Sequence, residues 1–116
     1  MIKNLTPHAL VLVDNSGVKH TLQPENLSAR VAVTEKIHGF LQDINMTIIY
    51  QEFKDVENLP DYVPGTVLIV SAMVLSQLPL SRRGFDVFAP DTGKTAIRDE
   101  KGNIIAVTRL SAGEQE

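Results

Sequence analysis

Turn sequences recur along this chain, and the apolar runs between them are short and rich in β-branched residues. Ala9–Val13 is followed by Asp14-Asn-Ser-Gly17, Val18–Leu22 by Gln23-Pro24-Glu25-Asn26, and Phe85–Ala89 by Pro90-Asp91-Thr92-Gly93. Such punctuation leaves room for strands and little room for long helices. Ala9–Val13 is continuous and predicts a strand buried on both faces. Val18–Leu22 alternates, so the two runs predict a hairpin with a four-residue connection. Ala29–Thr34 and Met46–Phe53 are further strands by composition. Lys36–Asp43 favours neither state, and Gly39 opposes a stable helix there. Two prolines make Val56–Gly65 a loop.

The second half is more patterned. Val63-Pro-Gly-Thr66 is a type II turn by residue type. Thr66–Val70 is a strand, Ser71 stands at the N-cap position, and Ala72–Leu78 offers Met73, Leu75 and Leu78 to a core before Pro79 stops the helix. Phe85–Ala89 is another strand, and Thr95–Arg98 with Asn103–Leu110 predicts a second hairpin through Asp99-Glu-Lys-Gly102. The fold class is therefore α+β, mainly β: antiparallel hairpins with one short helix after the strand at 66–70. One parallel crossover is expected, through the 72–78 helix. Residues 1–110 form a single small domain, and the polar tail 111–116 is expected to fray.

Composition narrows the chemistry. There is no Cys, which excludes disulfides, thiolate nucleophiles and Cys-type zinc sites. The net charge of −3 argues against a nucleic-acid cleft, so no nucleic acid is expected as a partner. No run approaches a membrane span and Ala9–Val13 is too short for a signal-peptide core, so a cytoplasmic protein without a membrane partner is expected. Aromatic residues are 5% of the chain, which leaves few stacking platforms.

Several short motifs invite a chemical reading. Gly93-Lys94-Thr95 resembles the end of a phosphate loop, but Phe88 stands where its first glycine belongs and a hairpin follows. Pro90-Asp-Thr-Gly93 shares three residues with aspartic proteases and lacks their later stretches. The three histidines have no metal-ligand spacing. Ser71 either caps the helix or marks an anion site at its start. Arg82 and Arg83 place two guanidiniums in a loop, suited to phosphate or carboxylate. His8, with Asp86 or Asp91, has the residue types of an acid–base pair. No cofactor is expected.

Asn4-Leu-Thr-Pro-His8, Gly65-Thr-Val-Leu-Ile-Val-Ser71, Asp86-Val-Phe-Ala-Pro-Asp91 and Arg98-Asp-Glu-Lys-Gly-Asn-Ile-Ile-Ala-Val107 together resemble an uncharacterised family of small phage, prophage and bacterial proteins. The resemblance covers most of the chain and carries no catalytic residues across. It implies a phage-type binding protein in the cytoplasm of a bacterial host. The reading that follows is non-enzymatic: sequestration of a small anionic or nucleotide-derived ligand, countering host defence. Its ligand-binding candidates are Asn4, Thr6, His8, Ser71, Arg82, Arg83 and Asp91. The alternatives are a protein–protein interaction module inhibiting a host factor, with exposed strand edges as its contacts, and a small enzyme using His8. So short a chain has little room to enclose a ligand alone, so a homo-oligomer is expected.

Overall fold

A computed structural model describes all residues 1–116. Its centre is a four-stranded mixed sheet in the order β1 (Ile2–Asn4), β6 (Val67–Ile69), β7 (Val87–Pro90), β10 (Leu110–Ser111). Three hairpins surround it: β2 (Leu10–Val13) with β3 (Lys19–Leu22), β4 (Arg30–Leu41) with β5 (Met46–Glu57), and β8 (Ile97–Arg98) with β9 (Ile104–Ala106). The single helix is α1 (Ala72–Ser76). The fold is thus α+β and mainly β, with antiparallel hairpins and one short helix.

Local chemistry explains the hairpin turns. Asp14 accepts the Ser16 and Val18 amides on Oδ1 at 2.9 and 3.0 Å, and Asp99 accepts those of Lys101 and Asn103, each at 2.9 Å. Three residues after each aspartate, Gly17 and Gly102 take φ of +85°, which a side chain would resist. The two turns are one device used twice.

The crossover from β6 to β7 is parallel and runs through α1. Ser71 starts the helix: its Oγ accepts the Val74 amide at 3.2 Å. The Val63–Thr66 turn closes with the Thr66 amide donating to the Val63 carbonyl at 3.0 Å. Leu68, Val70, Val74, Leu75, Leu78, Val87 and Ala89 meet Leu5 and Ala29 in the core, and Val31, Val56 and Leu59 pack against its margin.

Five expectations change. A second parallel pair exists, because Ile2–Asn4 adds to β6 as an edge strand. Ala9–Val13 is half-exposed along Leu10–Val13, because only β3 and the Val107 backbone lie beside it. Residues 36–41 continue β4, and the register shift at Ile37/Gly39 absorbs the glycine as a bulge. Leu110 leaves the second hairpin and joins β7, pairing with Pro90. The segment 111–116 begins inside β10, and the Gln115 side chain donates to the Arg83 carbonyl at 3.2 Å.

The β4–β5 hairpin dominates the shape. Each strand has 12 residues, about 40 Å at the usual rise. The radius of gyration is 17.0 Å, against about 13 Å for a compact domain of this length. Only the hairpin's base touches the core, so the rest projects as an arm.

Candidate functional site

The opening motif is spent on the chain itself. Asn4 is 1% exposed, and its side chain uses every hydrogen-bonding position. Nδ2 donates to the carbonyls of His8 at 2.8 Å and Leu22 at 3.0 Å. Oδ1 accepts the Thr6 amide at 2.9 Å and the Thr6 hydroxyl at 2.6 Å. Asn4 thereby ties β1, its following turn and the end of β3 together. Asn4, expected at a ligand site, has no hydrogen-bonding capacity left for one, and Thr6, expected there too, is buried with its hydroxyl proton given to Asn4 and the His8 carbonyl. The His8 side chain is exposed.

The arginines behave alike. Arg82 holds Asp86 through Nε and an Nη, each at 2.9 Å, and donates to the Pro60 carbonyl at 2.8 Å. Arg83 donates to the Leu78 carbonyl at 3.0 Å, closing the end of the α1 segment. Arg109 holds Asp91 at 2.7 Å, Arg30 meets Glu57 at 3.3 Å, and Arg98 donates to the Gly102 and Thr92 carbonyls. All five guanidiniums in the sequence therefore bond to the chain itself. Both aspartates expected as partners of His8 are held by arginines, and no hydrogen bond joins either to its ring.

Of the expected site residues, Arg83 and Asp91 share one cleft of about 420 Å³ between α1, the end of β7 and residues 111–114. Its lining sets one cation, Arg83, against two carboxylates, Asp91 and Glu114. Such a balance gives an anion no net attraction. Ser71 is occupied as a cap, and α1 is too short for a strong terminal dipole. Gly93-Lys94-Thr95 forms a turn into β8 with no helix behind it.

A second cleft, of about 340 Å³, is apolar. Ile2, Leu12, Leu22, Val107 and Leu110 line it, with His20, Asp14 and Arg109 among its polar neighbours. His20 Nε2 lies 2.9 Å from Asp14 Oδ2. That pair and Arg109 escape a reading of local sequence. The turn aspartate and the third residue of the next run meet only in the β2–β3 register, and Arg109 reaches Asp91 only because β10 pairs with β7.

Three aspartates have lowered pKa values, from turn amides and from the side chains of His20 and Arg109. The His20 hydrogen bond, then the Val18 amide, holds Asp14 below the ordinary 3.8. The Gly93 amide and Arg109 do so for Asp91, and chiefly the Asn103 amide for Asp99. A carboxylate with a depressed folded pKa stabilises the fold above its unfolded value and loses that contribution as pH falls through the folded one. Stability should therefore fall as pH drops below about 3.8. Urea unfolding across pH 5 to about 2 checks it, with Asp14→Asn, Asp91→Asn and Asp99→Asn combined flattening the acid limb.

The largest unexplained surface is the arm. Val33, Ile37, Phe40, Ile49 and Phe53 share one face by register, and Ile37 and Phe40 are 64% and 67% exposed. The other face carries Lys36, Glu52 and Lys54 in ion pairs and Tyr50 edge-on to His38 at 6.0 Å, with Ile48, Leu41 and Met46 exposed beside them towards the tip. At the tip, Leu41, Ile44 and Met46 are exposed as well.

No helix is long and apolar enough to cross a membrane. No group of three or more His, Asp or Glu side chains is placed to hold a metal ion. Compared with known proteins, the chain matches no family model, no curated protein and no solved structure.

Proposed function

We propose that the protein is a non-enzymatic interaction module and that the β4–β5 arm is its contact surface. The observation that carries this reading is the arm's apolar face, which nothing in the chain covers. An isolated two-stranded ribbon is marginally stable in water, and an apolar face of this extent marks a binding surface. Sequestration of an anionic ligand is less well supported, because every guanidinium bonds to the chain and Arg83, whose buried Nε has no partner, shares its cleft with Asp91 and Glu114. On the resemblance to phage and prophage proteins, the setting is a bacterial cell in which the protein counters host defence by binding.

A photo-reactive residue at position 37 or 49 tests the reading in cells making the protein. The expected result is a covalent adduct from these positions and none from position 36 on the opposite face. Absence of adducts from all three positions contradicts it.

A second reading rests on the apolar cleft beside β2 and β3. Its volume of about 340 Å³ suits a small apolar ligand with one polar group directed at His20. A thermal-shift screen of such molecules, with His20→Ala as the control, tests it.

A further inference from the structure

We infer that the occupant of the arm's apolar face is a second copy of this chain, joined across a two-fold axis with the two faces packed together. The inference rests on the reading of the arm as a contact surface and names its partner.

Charge comes first. Glu35 is the one ionisable side chain within the stripe from Val33 and Phe53 to Phe40 and Thr47, and no cation stands among them. A charged partner surface would find almost nothing to pair with there and would have to desolvate its own groups. The matching surface is apolar and nearly neutral. The chain itself supplies such a surface, and a two-fold contact asks only that one face complement itself.

Area comes second. The five large side chains of the stripe expose roughly 500 Å² together, taking about 200 Å² for a fully exposed large side chain. A specific interface takes about 800 Å² from each partner. Glu35, Gln51 and Thr47 on the same face and Ile44 at the tip bring the arm towards that order, while Leu41 and Met46 face the other way.

Shape comes third. The molecule is elongated, at 55 × 39 × 30 Å, and the arm meets the core only at Val31 and Val56, so two arms can overlap beyond that base without the bodies colliding. The opposite face, with its Lys36–Glu52 and Lys54–Glu52 pairs at 3.4 and 3.7 Å among Ile48 and Tyr50, is the more polar of the two and the better suited to remain in water. Only the stripe is then buried, and the outcome is a closed dimer and not a filament.

The test is the sedimentation mass of the purified full-length protein over a wide concentration range. The expected result is twice the chain mass, with dissociation on dilution. Ile37→Lys combined with Ile49→Lys should weaken association by on the order of 100-fold, because two central apolar anchors become charged. Lys36→Gln, on the wet face, should leave the mass unchanged. Where the double variant loses its circular-dichroism spectrum, Phe40→Ala at the exposed end of the stripe replaces it and should weaken association by on the order of tenfold. A wild-type protein that is monomeric at every concentration overturns the inference, and so does a folded double variant that dimerises like wild type. If the wild type is monomeric while positions 37 and 49 still cross-link to another molecule, the second copy is wrong and the contact surface stands. If those adducts are missing too, both fall.

Discussion

Asn4→Ala should cost about 3 kcal/mol of folding stability, one of the two largest losses expected from a single side chain outside the apolar core. The asparagine makes no contact with an external group; its value lies in what it leaves behind when removed. The His8 and Leu22 carbonyls lose the donor they share, and the buried Thr6 amide loses its acceptor. Each stranded group costs about 1–3 kcal/mol, less where water or another donor reaches it; the two carbonyls are only partly buried, and that of His8 keeps the Thr6 hydroxyl. Asn4→Asp should be worse than alanine, since it sets a second oxygen against two carbonyl oxygens. Thr6→Val should cost only about 1 kcal/mol, because Asn4 keeps its two donations. Urea unfolding with an unchanged slope checks all three, and equal stability for Asn4→Ala and wild type would remove the clamp from the account.

Asp86→Ala should be comparably damaging, at about 3 kcal/mol. Asp86 is 3% exposed, and its carboxylate answers two guanidinium nitrogens of Arg82. Removing it leaves a half-covered cation with only the Pro60 carbonyl for company. The same arginine links the loop before β6 to the segment entering β7, so the loss should loosen the central sheet on that side. Arg82→Lys should not preserve stability, because an ammonium cannot make the paired contact. Added salt should change the wild-type pair little, since burial shields it from screening. A measured loss below about 1 kcal/mol would mean that the pair behaves like a surface ion pair.

Legibility in the sequence followed the range of the forces involved. The α1 crossover was readable because Ser71, Leu75, Leu78 and Pro79 are local signals that agree, although Met73, expected in the core, is exposed and Val74 is buried in its stead. Both four-residue turns were readable for the same reason, each needing only an aspartate and a glycine three residues apart. β1 and β10 were not readable: strands of three and two residues take their state from neighbours far along the chain. With β10 hidden, the Arg109–Asp91 pair was hidden too.

The site residues divided along the same line. Asn4, Thr6, Arg82 and Arg83 were picked for what their side chains offer a ligand. The fold uses those capacities internally, which only tertiary structure reveals. The arm was half-legible. Met46–Phe53 had clear β composition, and Gly39 obscured the continuation of β4 until the bulge accounted for it. That the ribbon leaves the body is a matter of packing: Val31 and Val56 reach the core, and the residues beyond them do not.

Backbone hydrogen exchange across residues 30–57 tests the central claim most directly, comparing the assembled wild type with the variant carrying Ile37→Lys and Ile49→Lys. The account expects slow exchange along β4 and β5 in the wild type and fast exchange in the variant, with protection in Val67–Ile69 and Val87–Pro90 the same in both. Equal protection of the arm in the two proteins would contradict it, because the ribbon would then hold its structure without a partner on its apolar face.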